Sequence, residues 1–179
     1  DGASLGLVPG AGSGADHPSR LDIEEAVAPL PVSRVDLAYR SEGRRLPDRA
    51  PKLIVEVVDA VNRAAEQWDT DPSRLVIGGR SMGGRMASMA LAEGAVKAAG
   101  LVLVSYPLHP PKKPETLRTA HLEAVAVPTL FVSGDPETLE TPQEQRRAHA
   151  LVRGPGRVER EEGGGEEMPG EDKPAHVAG

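Results

Sequence analysis

Apolar residues follow two rhythms along this chain. Short apolar stretches at "SLGLV" (4–8), "SRVDLAY" (33–39), from Arg74 to Ile77, "AGLVLVSYPL" (99–108), "VPTLFVSGD" (127–135) and "GRVERE" (156–161) predict strands. Between Pro51 and Trp68 the pattern changes. Leu53, Ile54, Val57, Val58, Val61, Ala64, Ala65 and Trp68 recur at steps of three and four, which predicts an amphipathic helix with proline in its first turn. Residues 82–92 and 142–152 have helical composition, and residues 20–30 predict a short helix that stops at Pro29. Strands alternate with helices and lack polar alternation, as strands do when crossover helices cover both faces. The expected architecture is α/β: a mostly parallel sheet of about six strands with helices on both faces. Ligands of such sheets bind beyond the carboxyl ends of the strands. The loops at 9–18, 79–84, 105–114 and 133–141 fall there.

Composition sharpens this picture. The 179 residues suit one domain, and the 2% aromatic content leaves the core to Val, Leu, Ala and Ile. From residue 162 the chain turns to Glu, Gly and Pro with almost no large apolar side chains. It therefore divides into a domain over 1–161 and an acidic tail over 162–179 that is expected to be disordered. No apolar run approaches the roughly 18 residues of a membrane span. A net charge of −6 argues against a general nucleic-acid binder. The absence of cysteine excludes disulfides, thiolate catalysis and Cys-ligated zinc, and leans the reading towards the cytoplasm. Strand-like sequence begins almost at Asp1, so N-terminal strands of the fold are expected to be missing.

The candidate chemistry sits in "VIGGRSMGGR" (76–85). Gly79-Arg80-Ser81-Met82-Gly83 matches G-x-S-x-G with a predicted strand before it and a helix after it, the context a nucleophile elbow requires. Such a turn aims the Ser81 hydroxyl away from the sheet. It also places the Met82 N–H at a helix start, where it can serve as half of an oxyanion hole. The plainer reading is a glycine-rich packing turn with an incidental serine. The order Ser, then Asp or Glu, then His belongs to this mechanism, and Asp135 follows the fifth predicted strand, where an acid would orient an imidazole. Asp135 could also simply cap an Asp-Pro turn. Glu137 and Glu140 are weaker substitutes. Gly10-Ala11-Gly12 follows the first strand, and Ala11 is the expected second oxyanion donor, with Gly10 and Gly12 letting the backbone approach. The rival for that loop is a dinucleotide fingerprint, Gly10-x-Gly12-x-x-Ala15, which Pro18 weakens and which leaves the elbow unexplained. A P-loop fails because no G-K-[ST] follows a glycine run.

"PGAGSGADHP", "LVIGGRSMGGRMA", "LVLVSYPLHPPKKPE" and "VPTLFVSGDPETLETP" together cover most of residues 4–160. In these pieces the chain resembles the small α/β-hydrolases related to dienelactone hydrolase. Within them it is most similar to the group containing the hydrolase-like domain of the NSL histone-acetyltransferase complex subunit. The resemblance implies an α/β-hydrolase fold with Ser81 as nucleophile and Asp135 as triad acid. It also implies Gly10–Gly12 on the oxyanion side, no metal and no cofactor. Two departures stand out. Relatives often carry histidine where this chain has Pro9. Where the triad Asp-His is expected after the last strand, the chain has Gly165 and Glu166 in "REEGGGEEMPG".

Five histidines remain to supply a base. His17 and His109 lie in loops on the active face, His121 and His149 read as helix-surface residues, and His176 lies in the tail in the right chain order. His176 is the candidate base, at an ordering cost. The expected function is a serine hydrolase acting on a small-molecule ester or related acyl compound, with no nucleic-acid or membrane partner. The alternative is a catalytically degenerate, hydrolase-like domain that binds a protein partner.

Overall fold

The computed structural model describes residues 4–8, 24–25, 27–133, 142–152 and 156–160. Six strands form one sheet: β1 (Ser4–Val8), β2 (Val32–Arg34), β3 (Leu75–Arg80), β4 (Gly100–Val104), β5 (Thr129–Ser133) and β6 (Gly156–Arg160). Every neighbouring pair is parallel and the order is β2-β1-β3-β4-β5-β6. The chain thus moves one way from β1 to β2, then returns past β1 and builds the rest on the other side. The strand order reverses between β1 and β3, and the register sets Val8 opposite Gly79 at that reversal. This is where an open α/β sheet forms its binding crevice.

Helices connect the strands: a single turn α1 (Ala38–Ser41), the long α2 (Ala50–Gln67), α3 (Met82–Ala92) and α4 (Pro142–Leu151), with short 3₁₀ turns at Pro72–Arg74 and Ala120–Ala124. Residues 24, 25 and 27 are also helical, within the helix expected over 20–30. The run "LIVEVVDAV" inside α2 is rich in β-branched residues, whose helix propensity is poor by up to about 0.7 kcal/mol each. Spacing outweighs propensity. Leu53, Ile54, Val57, Ala60, Val61, Ala64 and Ala65 all fall on one buried face. A buried branched side chain contributes about 1.5–3 kcal/mol. Pro51 sits in the first turn, where its missing N–H costs nothing.

The core joins this face of α2 to Met86, Ala87 and Ala90 of α3 and to one face of the sheet: Leu75, Ile77, Leu101, Leu103 and Phe131. The alternate positions Val76, Val102, Val104, Leu130 and Val132 are half-buried on the opposite face. The sequence expectations for β1, β3, β4, β5, β6, α2, α3 and α4 match to within a few residues at each end. One does not. The strand expected over 33–39 stops at Arg34, and Ala38–Ser41 is a helical turn. Leu37 and Tyr39 are fully buried, but in a loop and that turn. A Glu56 carboxylate oxygen on α2 accepts from the Ala38 N–H at 2.7 Å and holds the turn in place. The tail over 162–179 lies outside the described residues.

Two glycines let β3 and α3 close on their neighbours. A Cβ on Gly78 would collide with the Val102 carbonyl oxygen of β4, and a Cβ on Gly84 would come within 2.6 Å of the Gly79 carbonyl oxygen. Gly78→Ala is therefore expected to destabilise the fold by roughly 1–3 kcal/mol in denaturant unfolding, the usual range for overpacking. Gly100→Ala should cost less, because its added carbon would stand 3.3 Å from the Pro128 carbonyl oxygen. Equal costs for the two would contradict this account of the packing.

Candidate active site

Ser81 lies between the last residue of β3 and the first residue of α3. Its backbone is at φ 52°, ψ −120°. An L-residue avoids this region at a cost on the order of 1–3 kcal/mol, so the surroundings must impose it. They do so from both sides. The Ser81 N–H donates to the Val104 carbonyl at 2.8 Å, carrying the β3–β4 ladder one residue past the strand. The Ser81 carbonyl accepts from the Arg85 N–H at 3.1 Å and starts α3. A strand bond and a helix bond on one residue force the sharp reversal. Gly84 then allows α3 to fold back over the end of β3.

A serine at a helix N-cap normally has extended backbone angles and spends its hydroxyl on the N–H two or three residues on. Ser81 does neither: its φ is positive and its side chain makes no capping hydrogen bond. The hydroxyl is therefore not spent on the helix end, and Ser81 is half-buried rather than sealed. Met82 is the first residue of α3, so its N–H has no carbonyl within the helix to bond and stands at the positive end of the helix dipole. Gly79 and Gly83, which the motif names as supports, are both buried. The residues with demonstrable close approaches are their outer neighbours Gly78 and Gly84. The doubled glycines in "GGRSMGG" were the available signal.

The other expected site residues are less visible. β5 ends at Ser133 with β4 between it and β3, so its carboxyl end lies on the same edge of the sheet as Ser81. Asp135 itself lies outside the described residues, as do Gly10, Ala11, Gly12, His17, Gly165, Glu166 and His176. His109 is buried in the loop after β4, and its Nδ1 stands 3.0 Å from the Pro110 carbonyl, which it serves as donor. Among the described residues no cluster of three or more acidic or histidine side chains is placed to hold a metal. None of the helices there is long and apolar enough to cross a membrane.

Two histidines expected on helix surfaces are not there. His121 lies in the 3₁₀ turn over Ala120–Ala124, half-buried, with Nε2 2.8 Å from the hydroxyl of fully buried Ser88 and 3.3 Å from that of Tyr106. His149 packs edge-on against Phe131, with ring centres 5.7 Å apart. Burial first, and the Arg85 charge second, push the His121 imidazole down to about 4. The sign of the consequence follows. An unfolded histidine protonates near pH ~6.5, the folded one only near 4, so the unfolded state gains protons first as pH falls. Stability conferred by neutral His121 is complete above the unfolded value and is lost as pH drops through this window. His121→Gln, which keeps a donor but does not titrate, should flatten that part of the stability-versus-pH curve in denaturant titrations. An unchanged slope would mean that His121 is not held neutral.

Comparison with known proteins adds three findings. A family model described as an alpha/beta hydrolase domain matches residues 2–153. An alpha/beta hydrolase from Sphaerobacter thermophilus superposes with a TM-score of 0.69 at 15% identity, covering 93% of this chain and 89% of its own. Dienelactone hydrolase from Anabaena variabilis gives 0.66 at 20% identity over 89% and 74%, and the Bacillus cereus carboxylesterase gives 0.60 at 17% over 89% and 79%. These likenesses concern the fold, and esterases are among the neighbours.

Proposed function

The chain belongs to the alpha/beta hydrolase domain family, and we propose from this premise that it is a cytoplasmic serine hydrolase acting on an ester or related acyl compound at Ser81. The observation that carries the reading is the positive-φ backbone of Ser81 together with a hydroxyl not spent on capping. In this reading the Ser81 Oγ attacks the acyl carbonyl while a histidine takes its proton. The tetrahedral oxyanion rests on the N–H groups of Met82 and Ala11. The alkoxide or amine leaves with the proton returned by the histidine, and water then releases the acyl group by the same steps in reverse. Asp135 orients the imidazole, and His176 is the first candidate for it. The mechanism calls for no metal or cofactor. The resemblance in "LVIGGRSMGGRMA" and "LVLVSYPLHPPKKPE" supports a relation to the NSL-subunit group within this proposal.

A second reading, a degenerate hydrolase-like domain that binds a partner, is favoured by one observation. Gly165 and Glu166 stand where the resemblance calls for Asp-His. A carboxylate cannot copy a neutral imidazole that accepts from serine and then donates to the leaving group. The chain is therefore expected to be a weak esterase. Introducing Gly165→Asp together with Glu166→His should raise hydrolysis of a p-nitrophenyl ester at least about tenfold, a modest share of the usual general-base contribution. A fast natural chain silenced by His176→Ala would instead make the tail histidine the base. If both changes and Ser81→Ala leave the rate unaltered, the hydrolase reading fails and the binding reading replaces it.

A further inference from the structure

An apolar groove of about 490 Å³ runs between α2 and α3. Its floor is Ile54, Val58 and Met89. Ile54 is buried, and Val58 and Met89 pack against the core, so the floor is fixed. The lips stand in water: Pro51, Val55 and Asp59 on α2, and Glu93 at the end of α3, are exposed. Val55 is 58% exposed, an apolar side chain that the core leaves out.

The walls have helical form. Pro51, Val55 and Asp59 stand four residues apart, one ridge of α2 roughly 12 Å long. Met89 and Glu93 stand four apart along α3. Two such ridges leave between them a groove of the kind into which another helix packs its own ridge. A small molecule fits it less well, because ligand pockets enclose most of their ligand and these lips are open.

Charge is graded along the groove. α2 leaves β2 and enters β3, α3 leaves β3 and enters β4, and these strands are parallel members of one sheet, so the two helices run the same way. In that direction the α2 wall reads Pro51, Val55, Asp59 and the α3 wall reads Met89, Glu93: apolar first, acidic last. Among the described residues no base lines the groove. Its complement is an apolar ridge followed by Lys or Arg. A second copy of this chain does not offer that through the same groove. One alignment sets acid on acid, and the other sets the acids on the apolar end.

We propose that the α2–α3 groove is a docking site for an amphipathic helix of a partner protein, with an apolar i, i+4 ridge and a basic end. The site does not rest on the hydrolase reading and is independent of the chemistry at Ser81.

The test uses the whole chain and a dye-labelled, alanine-rich synthetic peptide of about twenty residues, long enough to form a helix by itself. The peptide carries a leucine row at i, i+4 steps that ends in lysines. Binding is followed by fluorescence anisotropy at about 0.15 M salt, which screens distant exposed charges. Saturable binding is expected. The same peptide with serine for leucine, or with glutamate for lysine, should bind at least about tenfold more weakly. Val55→Gln leaves the net charge unchanged and should weaken binding at least about threefold. Asp59→Lys with Glu93→Lys should weaken it at least about tenfold. Glu25→Lys with Glu115→Lys, an equal change of charge elsewhere on the surface, should leave it unaltered. All these positions are exposed, so folded variants are expected, with circular dichroism as the check. If the double lysine variant at 59 and 93 does not fold, Asp59→Asn with Glu93→Gln carries the comparison. Absence of saturable binding overturns the proposal. So does binding that the serine peptide shares, or that both pairs of lysine substitutions weaken alike, since either marks non-specific attraction to an acidic chain. Sedimentation of the chain alone supplies the last outcome: dimers that Val55→Gln dissolves would give the groove to a second copy and overturn the proposal too.

Discussion

The N–H of Ser81 belongs to a strand and its carbonyl belongs to a helix. Those two hydrogen bonds, to Val104 and from Arg85, hold a non-glycine residue at φ 52°. Much else in the sheet serves this constraint. β4 must lie close enough to offer its last carbonyl, which requires Gly78 to face Val102 without a side chain. The helix must start at once, which requires Gly84 over the Gly79 carbonyl. Parallel pairing on both sides of β3 then holds the strand end still, so the strain is distributed over a rigid frame instead of relaxing into an ordinary cap.

The topology gives that strained residue its setting. Because the strand order reverses between β1 and β3, the adjacent strand ends at Val8 and Gly79 stand where an open α/β sheet forms its binding crevice. The helix that starts at Met82 begins at this edge of the sheet. β5 ends on the same carboxyl edge. This arrangement suits the proposed chemistry, in which negative charge develops beside a serine.

Much of this was legible in the residues. The three- and four-residue spacing in 51–68 overrode a run of β-branched side chains, because the buried face outweighs propensity. The glycine cluster marked the elbow because few other residues permit such close approach. The failures have physical causes of long range. Nothing local in "SRVDLAY" reveals that Glu56, eighteen positions beyond Ala38, caps a helical turn there. His121 reads as a surface residue, yet Leu122 beside it is fully buried and draws the 3₁₀ turn inward onto Ser88. The acid, the base and the second oxyanion donor are sequence inferences of a different grade, since Asp135, His176 and Ala11 lie outside the described residues.

The central claim is that the fold presents Ser81 as a nucleophile. The most direct measurement is mass spectrometry of the protein after exposure to a fluorophosphonate, which adds only to an activated serine. The account predicts a single adduct, mapped to the peptide containing Ser81 and absent from Ser81→Ala. It forms slowly in the natural chain and faster once Asp-His is restored at positions 165 and 166. Ser81 remaining unmodified in both proteins, or an adduct that persists undiminished in Ser81→Ala, would contradict it.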